Sequence, residues 1–239
     1  MWDPLWDRLT ASFDTVRLDL RGFGESTTAP EAGWSNPADV LATLDALGIE
    51  RTHVVAASFG AGVAVETALV RPGAVASLLL IAPGGALIPA RTEDLNTFIA
   101  AEDEALERDD LDAAAEANVR TWLVGPGRDA TEVPGDVRRL VHDMQRRAFE
   151  ITADWPDVEE SELDPPALQR LADIGVPTIV LQGEHDLDAI AAAADAVTNG
   201  VPGAERVDWP GVAHLPSLER PDEVAALIEE WIVRSSDSS

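Results

Sequence analysis

Cysteine and lysine are both missing from this 239-residue chain. The lack of cysteine excludes disulfides, thiolate metal sites and a cysteine nucleophile, and leaves the redox compartment unspecified. The lack of lysine makes every basic residue an arginine. Basic charge is scarce overall, with 17 basic against 44 acidic residues and a net charge of −27. A field of that sign repels nucleic acid and anionic membranes, so neither is expected as a partner. No run of eighteen apolar residues appears, so no membrane span is expected. Met1-Trp2-Asp3-Pro4 has neither a basic region nor an apolar core, so no secretion signal is read and a cytoplasmic location is expected. The four histidines, His53, His142, His185 and His214, lack metal-ligand spacing. No metal and no cofactor is expected, and the oligomeric state is not legible.

What is present is enough apolar residue, 46% of the chain, for one large α/β domain with an insertion. Periodicity predicts a helix over Asp3 to Ser12 and a strand over Asp14 to Leu20. A helix over Ser35 to Leu47 follows, with Pro37 near its start and Gly48 as its C-cap. Thr52 to Ala57 reads as a strand, Phe59 to Val70 as a helix, and the almost purely apolar Val75 to Ala82 as a strand covered on both faces. After Pro83-Gly84-Gly85 the strand signal fades. Helices are predicted after Thr92, over Leu111 to Val124 and over Asp136 to Thr152, and Pro165-Pro166 closes the stretch. Residues 89–166 are therefore read as a helical cap inserted into a core of 1–88 and 167–239. Strands resume at Pro177 to Gln182 and Ala204 to Trp209, with helices around Asp188 to Thr198 and Pro221 to Val233 and a frayed tail of Ser-Ser-Asp-Ser-Ser. The alternation predicts a mostly parallel sheet with helices on both faces.

The centre of the pattern is Val54-Val55-Ala56-Ala57-Ser58-Phe59-Gly60-Ala61-Gly62, a strand and a helix joined at a serine. A turn this sharp strains the serine backbone and needs small neighbours, because the two backbones pass close together. In parallel sheets ligands bind at the carboxyl ends of strands. Three polar residues fall at or just after such ends: Ser58, Asp186 and His214. A serine hydroxyl is a poor nucleophile at neutral pH. It needs a histidine to take its proton, and the histidine needs a carboxylate to fix its tautomer. Asp188, two residues beyond Asp186, could fill the carboxylate role, and Asp186 could instead cap a turn. His53 lies at the wrong end of its strand for this chemistry, His185 points away if Asp186 points in, and His142 falls off the apolar face of its helix. Trp122, Met144 and Phe149 are read as packing residues of the cap rather than site residues.

These stretches resemble the α/β-hydrolase superfamily, in its cofactor-free group of serine esterases and lactonases. The resemblance rests on Asp19-x-Arg21-Gly22-x-Gly24-x-Ser26, on Ala56-x-Ser58-x-Gly60, on Gly183-x-x-Asp186 and on Gly211-x-x-His214-x-Pro216-x-x-Glu219-x-Pro221. Within the group, the pattern looks most like 3-oxoadipate enol-lactonases and carboxylesterases. It implies Ser58 as nucleophile, Asp186 as triad acid, His214 as general base and the backbone N–H of Phe59 as an oxyanion donor. The implied substrate is a small carboxylic ester or lactone held under the cap as a lid. In the same family a second oxyanion donor sits on a His-Gly loop after a central strand. No such strand and loop stand before the first helix here, which leads to the expectation of a start codon further upstream. It also raises a reading of another class, a catalytically silent protein that binds a small molecule under the cap. Without that strand, an open slot is expected between Asp14 to Leu20 and Thr52 to Ala57, unless those two strands close up and pair.

The charge generates a prediction of its own. Self-repulsion at −27 is tolerable in a salt-accumulating cytosol, where molar salt shrinks the Debye length to about 3 Å. A GC-rich genome is the plainer source of such a composition. For the halophile, the urea midpoint of unfolding should rise steadily with KCl. A refolding titration measures this, and full stability at low salt would count against it.

Overall fold

The computed structural model describes residues 1–236. Its sheet has four parallel strands in the order β1 (Thr52–Ala57), β2 (Val75–Ile81), β3 (Thr178–Gly183) and β4 (Glu205–Trp209). The sheet is parallel and carries helices on both faces, as the strand and helix alternation predicts. Every residue of β2 and of β3 is buried. That is why these strands read as unbroken apolar runs rather than as alternating ones.

Period-two alternation assigns the two faces of the sheet. Ala56, Leu78, Leu80 and Val180 pack with Ala61, Ala64, Val65 and Ala68 of α3 (Phe59–Val70) and with Ala193, Ala194 and Val197 of α7 (Asp188–Gly200). Ala57, Leu79, Ile81, Ile179 and Leu181 pack instead with Leu5 and Leu9 of α1 (Asp3–Ser12) and with Val224, Ile228 and Trp231 of α9 (Pro221–Ser236). The strands add in one direction only. Right-handed crossovers therefore put α3 and α7 on the same face, and the helices from the two ends of the chain cover the other. The helix α2 (Asn36–Ala46) starts at Ser35, whose side chain accepts the N–H of Ala38, and has Pro37 in its first turn.

The strand expected over Asp14 to Leu20 is absent. This segment makes no ladder with β1, and Val16 and Leu18 remain 46% and 36% exposed. Alternating apolar residues favour a pleated surface, but pairing also needs a neighbour, and none lies alongside. The direct pairing that was the alternative to an open slot does not occur, and β1 is an edge strand among the described residues. The first four residues of β1 are only half-buried, so water can reach a backbone that would otherwise be costly to leave unpaired. The glycine-rich loop that follows Asp14 to Leu20 folds on its own bonds. The Asp19 carboxylate accepts the N–H of Glu25 at 3.1 Å, and the Ser26 hydroxyl donates to the Asp19 carbonyl at 2.7 Å.

Between β2 and β3 lie α4 (Glu93–Glu107), α5 (Leu111–Asn118) and α6 (Gly135–Thr152). Two predicted boundaries shift here and at the end of the chain. The helix expected to run from Leu111 to Val124 is α-helical only to Asn118 and then opens into a π-helical turn over Val119–Val124. Gly125 then ends it at φ +79°. The final helix continues to Ser236, three residues beyond Val233, where the Ser235 hydroxyl donates to the Trp231 carbonyl at 2.8 Å and lies 3.3 Å from the Ser77 hydroxyl. The rest of the expected frayed tail, 237–239, lies outside the described residues.

Glu66, on α3, is half-buried and its carboxyl is pushed from an ordinary 4.5 up to about 7, first by burial and then by the negative charges of Glu160 and Glu162. Glu160 itself is held by the N–H and side-chain amide of Asn36, at 2.6 and 2.9 Å. A carboxyl raised in the folded state gives up its proton sooner in the unfolded chain, so stability falls as pH climbs from about 4.5 to about 7. Glu66→Gln removes that dependence. The variant should unfold at higher urea than the parent above pH 7, and the gap should close below pH 4.5. Parallel midpoints across this range would show that Glu66 carries no such strain.

Candidate active site

Ser58 occupies the junction of β1 and α3 with φ 54° and ψ −127°, a left-handed conformation that is costly for any residue with a Cβ. The surroundings over-determine it. The N–H of Ser58 donates to the Ile81 carbonyl at 2.9 Å, and its own carbonyl accepts from Ala61 at 2.9 Å and from Gly84 at 3.0 Å. The turn needs the small residues that the sequence places there. A Cβ on Gly62 would lie 2.9 Å from the Gly84 carbonyl oxygen, too close for any side chain. Phe59 is the first residue of α3, so its N–H has no acceptor within the helix and sits beside Ser58 at the positive end of the helix dipole.

Asp186 and His214 arrive on the loops after β3 and β4. The His214 ring is buried, with Nδ1 2.7 Å from Asp186 Oδ2 and Nε2 2.7 Å from Ser58 Oγ. The other carboxylate oxygen of Asp186 accepts the N–H of Leu187 at 2.8 Å. With the carboxylate as acceptor, the ring proton sits on Nδ1 and leaves Nε2 free to accept the serine proton. The structure thus brings together all three residues singled out from the sequence. It also decides between the two aspartates: Asp186 has a fully covered side chain on the ring, whereas Asp188 is exposed at the start of α7.

The other histidines lie apart from this group. His53 bonds Ser77 at 2.8 Å, and its imidazole is held below its ordinary value by burial and then by Arg51. His185 donates from Nδ1 to the Pro126 carbonyl at 3.2 Å, and His142 sits beside Asp112 and Asp143. The motif that holds Asp19 and Ser26 serves its own loop, and Arg21 makes a two-pronged pair with Asp39 at 2.9 Å for each bond.

The loops that carry Asp186 and His214 are stitched to each other. Glu184 donates its N–H to the Trp209 carbonyl and His185 donates to that of Val212, while the Glu184 carboxylate accepts the N–H of Gly211 at 2.8 Å. Two neighbours of His214 are not evident from the sequence. Trp122, which periodicity assigns to the packing face of its helix, places its ring 4.6 Å from that of His214, tilted by 44°. Glu219 accepts the N–H of Ala213 at 2.8 Å and forms a buried ion pair with Arg128 at 2.7 Å, a charge contact without a well-aligned hydrogen bond. The Gly125-Pro126 pair is the signal that could have flagged Trp122, since it marks a helix end close behind that residue.

A sequence profile described as the Alpha/beta hydrolase family matches residues 1–227. Carboxylesterase YbfK of Bacillus subtilis is 26% identical over 94% of this chain and 73% of that protein. The 2-hydroxymuconate semialdehyde hydrolase of Pseudomonas putida is 25% identical over 92% of this chain and 77% of that protein. The crystal structure of the enol-lactonase from Burkholderia xenovorans LB400 superimposes with a TM-score of 0.73 at 21% identity, covering 97% of this chain and 85% of that one.

Proposed function

The chain belongs to the alpha/beta hydrolase family, and we propose that within it the protein is a serine hydrolase of small carboxylic esters or lactones. The observation that carries this reading is the continuous hydrogen-bonded line from Asp186 through His214 to Ser58, with 2.7 Å at both junctions. The names of the carboxylesterase and of the enol-lactonase among the similar proteins support the ester or lactone class.

In the proposed reaction His214 Nε2 takes the hydroxyl proton as Ser58 Oγ attacks the substrate carbonyl. Negative charge moves onto the carbonyl oxygen, where the Phe59 N–H at the start of α3 stabilises it. The imidazolium, held by Asp186, returns the proton to the departing alkoxide and leaves an acyl group on Ser58. Water then repeats the cycle, with His214 as base, and releases the acid. No metal or cofactor enters these steps. The helical stretch within 89–166 serves in this reading as a cap over the core of 1–88 and 167–239. It is supported by the position of Trp122 against His214.

Ser58→Ala should lower kcat on the order of a millionfold and abolish labelling by a fluorophosphonate probe. Asp186→Asn leaves the ring in place but stabilises the wrong tautomer, and should lower kcat by about ten-thousandfold. A panel of esters and lactones supplies the rates. Labelling that survives Ser58→Ala would move the nucleophile elsewhere. A folded parent that neither labels nor turns over any of the panel would leave a binding protein with the same fold.

A further inference from the structure

We propose that Trp122 is a positioning residue for His214, which it holds by its backbone and whose charged form it favours by its ring. This inference rests on the catalytic reading of His214 and adds a residue that neither the triad nor the motifs contain.

The chain's own termination signal makes the site. In a regular helix, the Trp122 carbonyl would accept from the N–H four residues on, but that residue is Pro126, which has none. The turn over Val119–Val124 is already wound wide, with the Gly125 N–H reaching back to the Arg120 carbonyl at 3.0 Å. Gly125 then turns the chain away at φ +79°. The Trp122 carbonyl is thereby left to accept from outside its own helix, and the N–H of His214 supplies that bond at 3.1 Å. Mid-chain π turns of this kind cost hydrogen-bond geometry and recur at functional sites.

The same turn is pressed onto both loops that bear the triad. A Cβ on Gly125 would overlap the His185 carbonyl oxygen and lie 2.9 Å from the Ala213 side chain. Pro126 accepts from His185, and Arg128 pairs with the Glu219 that holds the N–H of Ala213. Consecutive backbone N–H groups, those of Ala213 and His214, are thus fixed from this side.

The ring contact adds chemistry to the clamp. The indole lies 4.6 Å from the imidazole centroid, and Phe98 of α4 meets the indole edge-on at 4.9 Å and 73°. An indole attracts a neighbouring cation through its ring quadrupole, which adds to the contact it already makes with a neutral ring. In the reaction His214 becomes a cation when it takes the serine proton, so the contact strengthens as the reaction proceeds. The ionisable groups around His214 are Asp186, with Glu184 and His185 on the same loop, Ser58 from the elbow, Glu219 and Arg220 beyond its own loop, and Arg128 from the insertion. All of them remain when only the indole is exchanged.

The test measures phosphonylation of Ser58 by a fluorophosphonate across pH in the parent, Trp122→Leu and Trp122→Phe, with circular dichroism as the check on folding. Trp122→Leu should react on the order of two- to thirtyfold more slowly at the plateau. Its acidic limb should move to lower pH by about half a unit or more, because the neutral ring is now easier to keep. Trp122→Phe, which restores an aromatic face, should recover most of both effects. Should Trp122→Leu not fold, Trp122→Met takes its place with the same expectations. Parent-like kinetics in the aliphatic variant, or equal damage in the phenylalanine variant, would overturn the proposal. A parent that is never labelled would instead defeat the hydrolase reading. The imidazole NMR titration of His214 then decides separately. A midpoint lower in the aliphatic variant than in the parent upholds the role of the ring, and equal midpoints refute it.

Discussion

The backbone of Ser58 is held where an unassisted residue would not stay. A φ of 54° on a side-chain-bearing residue costs on the order of 1–3 kcal/mol and persists only when neighbours enforce it. Here the enforcement comes from β2 and from the chain just beyond it, through the carbonyl of Ile81 and the N–H of Gly84. Those groups are themselves fixed because β2 is buried along its whole length. A strand buried along its whole length therefore anchors a residue with a strained backbone. The position of the Ser58 hydroxyl is a consequence of packing several residues away.

The His214 side of the site is built differently. No strand or helix contains the ring, so its place depends on loops tied to other loops. Glu184, His185 and Glu219 supply ties from within the sheet framework, and Trp122, Pro126 and Arg128 supply ties from the helical stretch between β2 and β3. A ring held in this way is only as well placed as its supports. The helical stretch thus has a structural part in the site whatever it does towards substrate. Its own small core, with Val119, Leu123, Val133 and Val141, reaches Leu218 in α8 (Pro216–Glu219), directly after the histidine loop.

Carboxylates surround this apparatus and are handled in two ways. Most are exposed and act together through a long-range field that ionic strength can screen. A few are drawn inward, and these respond to their immediate surroundings instead. Burial raises Glu66 and also Glu102, where the amide of Asn118 pulls in the opposite direction. Screening by salt does little for a carboxylate whose penalty is lost hydration, so the two populations contribute to stability by separate routes.

Local sequence determined whatever depends on periodicity and on turn chemistry. The runs Val54–Ala57 and Val75–Ile81 read as strands, the second covered on two faces. The small residues around Ser58 fit a close strand-to-helix turn, and the strand ends placed Asp186 and His214 near it. The tertiary structure decided what depends on neighbours. Val16 and Leu18 alternate like a strand, yet no strand forms, because a ladder needs a second backbone and none lies alongside. Asp186 and Asp188 are equal in sequence, and only the path of the chain into α7 covers one and exposes the other. Trp122 looks like any packing residue on its helix. Its contact with His214 follows from a carbonyl released by Pro126 and from the arrival of that loop, 92 positions along the chain. Periodicity records which face of an element is apolar. It does not record which distant loop will settle on that face.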